Sequence, residues 1–158
     1  MQNFVELLKD HALILSTARS LTSITRGAEP DAGAASAALR HLARLLASHL
    51  RAEAEFINAD HDFGHDDFTA LAKQHGERFE DLVKAWEAYL REWDEDGIRA
   101  DWPGFVWATD WIVERINDQV EAENESLYPA ALRYGLIRLL PEKPRATAGE
   151  CAARRGNG

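Results

Sequence analysis

HLRAEAEF, His49 to Phe56, decides how this chain is read. His49 and Glu53 stand four residues apart within the apolar stripe Leu39, Leu42, Leu46, His49, Glu53, Phe56. Residues at i and i+4 share one helix face, so an imidazole and a carboxylate point together at the core. An ionised carboxylate buried without a partner costs on the order of several kcal/mol. The pair therefore demands a cation or a base, and the rest of the chain offers candidates.

Three further helices are expected around this one. The first runs from about Asn3 to Arg26 with Phe4, Leu8, His11, Leu15, Ala18 and Leu21 as its stripe. RGAEPDAG, residues 26–33, is a loop by its Gly and Pro content, and the second helix follows to about Asn58. The third, about Asp66 to Glu95, shows Phe68, Ala72, His75, Phe79, Leu82, Trp86, Tyr89 and Trp93 in alternating steps of four and three. After a start at Asp101 to Pro103, the fourth shows Phe105, Thr109, Ile112, Ile116, Gln119, Glu123 and Leu127, with a kink expected at Pro129. No sustained period-two run signals a strand. The expected fold class is all-α, an up-down-up-down four-helix bundle over residues 1–140. Residues 141–158, rich in Pro, Gly, Ala and Arg and without periodicity, form a disordered C-terminal tail in this reading.

The polar intruders fall at one height. His49 is about nine residues before the end of its helix and His75 about nine into the next, which at 1.5 Å per residue puts both roughly 13–14 Å from the loop between them. His11 is about eight residues into a helix starting at that same end, and Glu123 about eleven before Tyr134–Gly135, where the last helix can finish. The arrangement repeats. His11 precedes His49-x-x-x-Glu53 by 38 residues, and His75 precedes Gln119-x-x-x-Glu123 by 44. Two such hairpins packed with approximate two-fold symmetry converge His11, His49, Glu53, His75, Gln119 and Glu123 on a central site. A mixed nitrogen and oxygen set suits iron, manganese or zinc, and the lack of sulfur disfavours copper(I) and Fe–S clusters. A single histidine on an apolar stripe is ordinarily a core residue bonded to backbone. Gln119 has an equally plain alternative, a hydrogen bond to Glu123. Convergence is what favours ligation.

In this order and spacing, His11, His49, Glu53, His75 and Glu123 resemble the hemerythrin-like HHE cation-binding family. ESLYP, Glu125 to Pro129, resembles the ending of that family's last helix. The resemblance covers about residues 5–135. It implies a non-haem di-iron bundle that binds or senses oxygen, nitric oxide, peroxide or iron itself. Two departures qualify it. Gln119 stands where the family has a fourth-helix histidine, and Phe79 where the oxygen carriers place a second histidine on the third helix. With three histidines where carriers use five, oxygen transport is not expected. Redox sensing or iron handling is the favoured role. Alternatives are a metal-free bundle acting through protein contacts and a metal-dependent oxidase or peroxidase.

Other features bound the function. The formal net charge is −9, and the last eighteen residues carry two more basic than acidic groups, leaving −11 on residues 1–140. That balance argues against nucleic acid or an anionic membrane as partner. No apolar run reaches the roughly 18 residues of a membrane helix. Charged residues in the first turns argue against a signal peptide, and the single cysteine, Cys151, permits no internal disulfide and fits a reducing cytoplasm. His61 and His65 read as a turn and helix cap. The acidic run Trp93 to Asp101 reads as a solvated loop. Trp86, Trp93, Trp102, Trp107 and Trp111 gather near that loop and read as core and loop packing; the alternative is a homodimer or protein-partner surface at that end.

Overall fold

The computed structural model describes residues 2–57 and 66–141. It is all-α: α1 (Phe4–Thr25), α2 (Ala32–Ile57), α3 (Asp66–Glu92), α4 (Glu95–Ala100), α5 (Trp102–Ala122), a π-helical segment (Glu123–Leu127) and α6 (Tyr128–Arg133). No strand occurs among the described residues. One isolated bridge joins Asn3 to Arg138, so the segment after α6 returns beside the start of α1. His61, His65, Cys151 and the tail beyond Pro141 lie outside the described residues.

Local chemistry sets the helix ends. Asn3 caps α1 by accepting from Glu6 N–H at 2.9 Å, an interaction worth about 1 kcal/mol. At the other end of the chain, Leu136 N–H bonds to Ala131 C=O and Gly135 N–H to Leu132 C=O, with Gly135 at φ 73°. This is a Schellman stop, which needs the left-handed conformation that glycine adopts without strain.

The acidic run departs from the loop expected of it. Asp94 accepts from Gly97 N–H at 2.7 Å and starts α4, whose Ile98 is fully buried. One cap and one apolar residue suffice for a helix of six residues, too short to show periodicity. At the expected kink, Pro129 sits in the first turn of α6, directly after the π-helical segment. The distortion precedes it. Pro129 cannot bond back to Glu125 C=O and its ring would crowd that carbonyl. The turn there widens, and Tyr128 N–H bonds to Glu123 C=O, five residues back.

The expected stripes of α2 and α5 are buried residue for residue. In α1 the buried set shifts to Leu7, His11, Ile14, Ala18 and Leu21, while Leu8 and Leu15 are half-buried beside it. These side chains form two apolar clusters. The larger contains Ile14, Leu46, Leu82, Trp86, Phe105 and Ile116, among others. The smaller contains Leu7, Phe56, Phe68, Ala72, Leu127 and Tyr128. On α1, His11 falls between Leu7 and Ile14; on α2, His49 and Glu53 fall between Leu46 and Phe56. On α3, His75 falls between Ala72 and Leu82, and past Ile116 the last helix has Gln119 and Glu123 before Leu127. A buried polar layer thus separates two apolar ones. Along the chain, α1 and α3 run from the smaller cluster to the larger, and α2 and α5 run back.

Candidate metal centre

Four side chains in that layer converge. His11 from α1, His49 and Glu53 from α2, and Glu123 from the π-helical segment each bring one donor atom to within 4.8 Å of the others. These residues are 0–3% exposed. His11 Nε2 is 3.0 Å from His49 Nε2 and 2.9 Å from Glu123 Oε2. His49 Nε2 is 3.1 Å from Glu53 Oε1 and 3.7 Å from Glu123 Oε2. Such a set is close enough to hold a metal ion.

The outer partners prepare these atoms. His11 Nδ1 lies 2.7 Å from Asn124 Oδ1. An amide oxygen only accepts, so Nδ1 carries a proton, and in the neutral ring Nε2 is then the nitrogen left to offer a lone pair to the cluster. That is the tautomer a metal requires. His49 Nδ1 makes no hydrogen bond but lies 3.6 Å from Asp10 Oδ2, a carboxylate near enough to favour an Nδ1–H if Nε2 held a cation. The groove over this edge, about 390 Å³, lies between Leu15 and Arg19 of α1 and Val120, Asn124 and Glu125 across from them. It brings solvent to the residue next to Glu123.

Hydrogen counting shows what the layer lacks. Facing inward are both carboxylates, with few protons to satisfy their oxygens. Gln119 Nε2 donates to Glu123 Oε1 at 2.7 Å, and Tyr128 donates its single proton to Glu53 Oε1. His49 Nε2 can contribute one more. Glu53 Oε2 has no partner at all, and leaving a buried acceptor unpaired costs about 1–3 kcal/mol. A cation would satisfy this excess of acceptors, so the residues present fit one.

Electrostatics report the same shortage as retained protons. Burial, the largest influence, pushes the Glu53 carboxyl up to about 8, the Glu123 charge adding to it against the hydrogen bond with His49. For His49, burial favours the neutral ring, but hydrogen bonds to Glu123 and Glu53 outweigh it and hold the imidazole up to about 10. Glu123 goes the other way: burial would raise it, yet His11, His49 and Glu53 together hold it well below the carboxylate range. Burial and the two neighbouring carboxylates push the Tyr128 phenol far up.

The six residues marked in the sequence are all buried, and four of them form the cluster. His75 stands apart from it. Its Nδ1 is unpartnered, and burial together with the Arg78 charge lowers its pKa although Glu123 pulls the other way. Gln119 is present as a hydrogen-bond donor to Glu123. Three participants escaped the sequence reading. Asn124 and Asp10 neighbour marked residues and are polar positions that look solvent-facing in sequence. Tyr128 follows Glu123 by five residues, a spacing that leaves an ordinary helix face. Its only signal was its place in ESLYP. Among the described residues no helix is long and apolar enough to cross a membrane. Compared with known proteins, the chain matches no family model, no curated protein and no solved structure.

Proposed function

We propose that the chain is a hemerythrin-like, up-down-up-down four-helix bundle whose buried layer holds non-haem iron as a di-iron centre. Its role in this reading is the sensing of oxygen, nitric oxide or redox state, or iron handling, rather than oxygen transport. The observation that carries the proposal is the excess of buried acceptors around His11, His49, Glu53 and Glu123, with Glu53 Oε2 unpartnered. Alternation of helix direction between the two apolar clusters supports the bundle topology.

His11, His49, Glu53 and Glu123 would hold one ion. The unpartnered Glu53 oxygen, His75 and the Gln119 amide oxygen would be the donors available to a second. When bound, iron supplies one-electron chemistry and open positions for a small ligand. This chain's residues exclude bulk water, fix the His11 tautomer through Asn124 and keep both carboxylates facing inward. Manganese and zinc suit the same donors.

Metal content per chain tests the reading, measured by elemental analysis on protein from iron-replete cells, beside Gln119→His. Two irons in both make Gln119 a tuning position. One iron rising to two in the variant marks a half-complete site. No metal in either overturns the proposal and favours the second reading, a metal-free bundle acting through protein contact. That reading has its own observation: Trp107 and Trp111 of α5 are 72% and 43% exposed.

A further inference from the structure

Tyr128 touches every member of the donor cluster. Building on the metal-binding reading above, we propose that Tyr128 is itself a metal ligand, through Oη, and that it turns the site toward a trivalent ion such as iron(III). Its Oη lies 3.0 Å from His11 Nε2, 3.3 Å from His49 Nε2 and 3.3 Å from Glu123 Oε2, and it is hydrogen-bonded to Glu53 Oε1. An atom in contact with all four donors borders whatever those donors enclose.

The backbone departs from regular helix to put it there. In an α-helix, residues five apart point about 140° away from each other around the axis. The π-helical segment Glu123–Leu127 closes its turn on the fifth residue, with Tyr128 N–H bonded to Glu123 C=O, and so brings the two side chains onto one face. Such widened turns are rare and concentrate at functional sites. The ring cannot swing aside. Tyr128 is 0% exposed, stacked on His11 with centroids 5.1 Å apart and edge-on to Phe56 at 6.1 Å.

Chemistry then selects the ion. Tyrosine oxygen is an established ligand for iron. Coordination exchanges the O–H proton for the cation, and that proton leaves to solvent. Two carboxylates and one phenolate with neutral imidazoles carry three negative charges, which a trivalent ion balances and a divalent ion does not.

Loading the full chain with iron(III) citrate provides the test, read by visible absorption, resonance Raman and iron per chain. The expected result is a phenolate-to-iron(III) charge-transfer band with enhanced tyrosinate ring modes. Tyr128→Phe loses the band, while Tyr89→Phe and Tyr134→Phe keep it. Because the chain has three tyrosines, those two variants assign the band to Tyr128 even if Tyr128→Phe takes up no iron. Bound iron without the band, or a band surviving in Tyr128→Phe, overturns the ligand assignment and leaves metal binding standing. No iron in any of the four proteins overturns both.

Discussion

The two helical hairpins serve the buried layer unequally. The α1–α2 hairpin places His11, His49 and Glu53 in the cluster. The half built on α3 and α5 contributes Glu123, with Tyr128 behind it, while His75 stays outside and Gln119 only donates to Glu123. Sequence spacing made the halves look equivalent, each a histidine followed by an i, i+4 pair. Chemistry at one position separates them. The Gln119 amide donates to Glu123, which orients that carboxylate where a histidine would present a ring nitrogen. The first hairpin therefore supplies three of the four clustered donors and the second closes the layer over them.

Removing a donor from each hairpin should break or confirm that asymmetry, and here the largest effect is expected. His49→Ala should cost more than the roughly 100-fold in metal affinity that the severest outer-sphere changes cost, and His75→Ala should stay within about 10–100-fold. Competition titration with a chromophoric chelator measures both. Equal losses would mean that the hairpins contribute alike.

Proton occupancy gives the next largest effect. In the metal-free protein Glu53 is held up to about 8 from 4.5, and His49 up to about 10 from 6.5. Both folded values exceed the unfolded ones, so the stability they contribute is fully present below the unfolded values. It is lost as pH rises through about 8 and about 10. The metal-free chain should therefore lose on the order of a few kcal/mol between neutral pH and pH 10. Urea melts across that range measure it. A bound cation replaces those protons, so loading near pH 7 should release protons, seen as a buffer-dependent heat of binding. Melts that are flat with pH would show that protons do not stand in for the cation.

Asn124 tests how the first hairpin is aimed. Asn124→Leu removes the acceptor that holds the His11 Nδ1 proton and should lower metal affinity by about 10–100-fold. An unchanged affinity would mean that packing against Tyr128 alone sets the His11 tautomer and orientation.

Much of this was legible beforehand, for physical reasons. Periodicity on α2 and α5 exposed the stripe and the polar residues interrupting it, because a buried His or Glu stands out against Leu and Ile. Hidden from periodicity were features governed by one or two hydrogen bonds. Helix α4 rests on the Asp94 cap and one buried isoleucine. The π-helical turn rests on the missing donor of Pro129, and it alone brings Tyr128 into line with Glu123. Whether Gln119 ligates or donates depends on the orientation of one amide, which spacing does not encode. The aromatic end divided similarly. Trp86 and Trp93 are buried as expected, whereas Trp107 stands 72% exposed and Trp111 lies 4.7 Å beneath the Arg115 guanidinium. These two occupy the outer face of α5, off the stripe that runs through Phe105, Thr109 and Ile112.

That far end offers the smallest effect and the sharpest control. Tyr89 Oη and Thr109 Oγ1 are 2.7 Å apart, both buried in the larger apolar cluster region. Tyr89→Phe deletes one hydrogen bond and should cost about 1 kcal/mol, a fall in melting temperature of roughly 2–4 °C. Metal content should not change. Burial pushes the Tyr89 phenol above its ordinary 10.0, so its contribution is present below pH 10 and is lost as pH rises beyond it. The gap between wild type and variant should accordingly narrow above pH 10, by scanning calorimetry. A Tyr89→Phe chain that also lost metal would show the two apolar clusters to be coupled through the polar layer, making the layer a mechanical joint as well as a binding site.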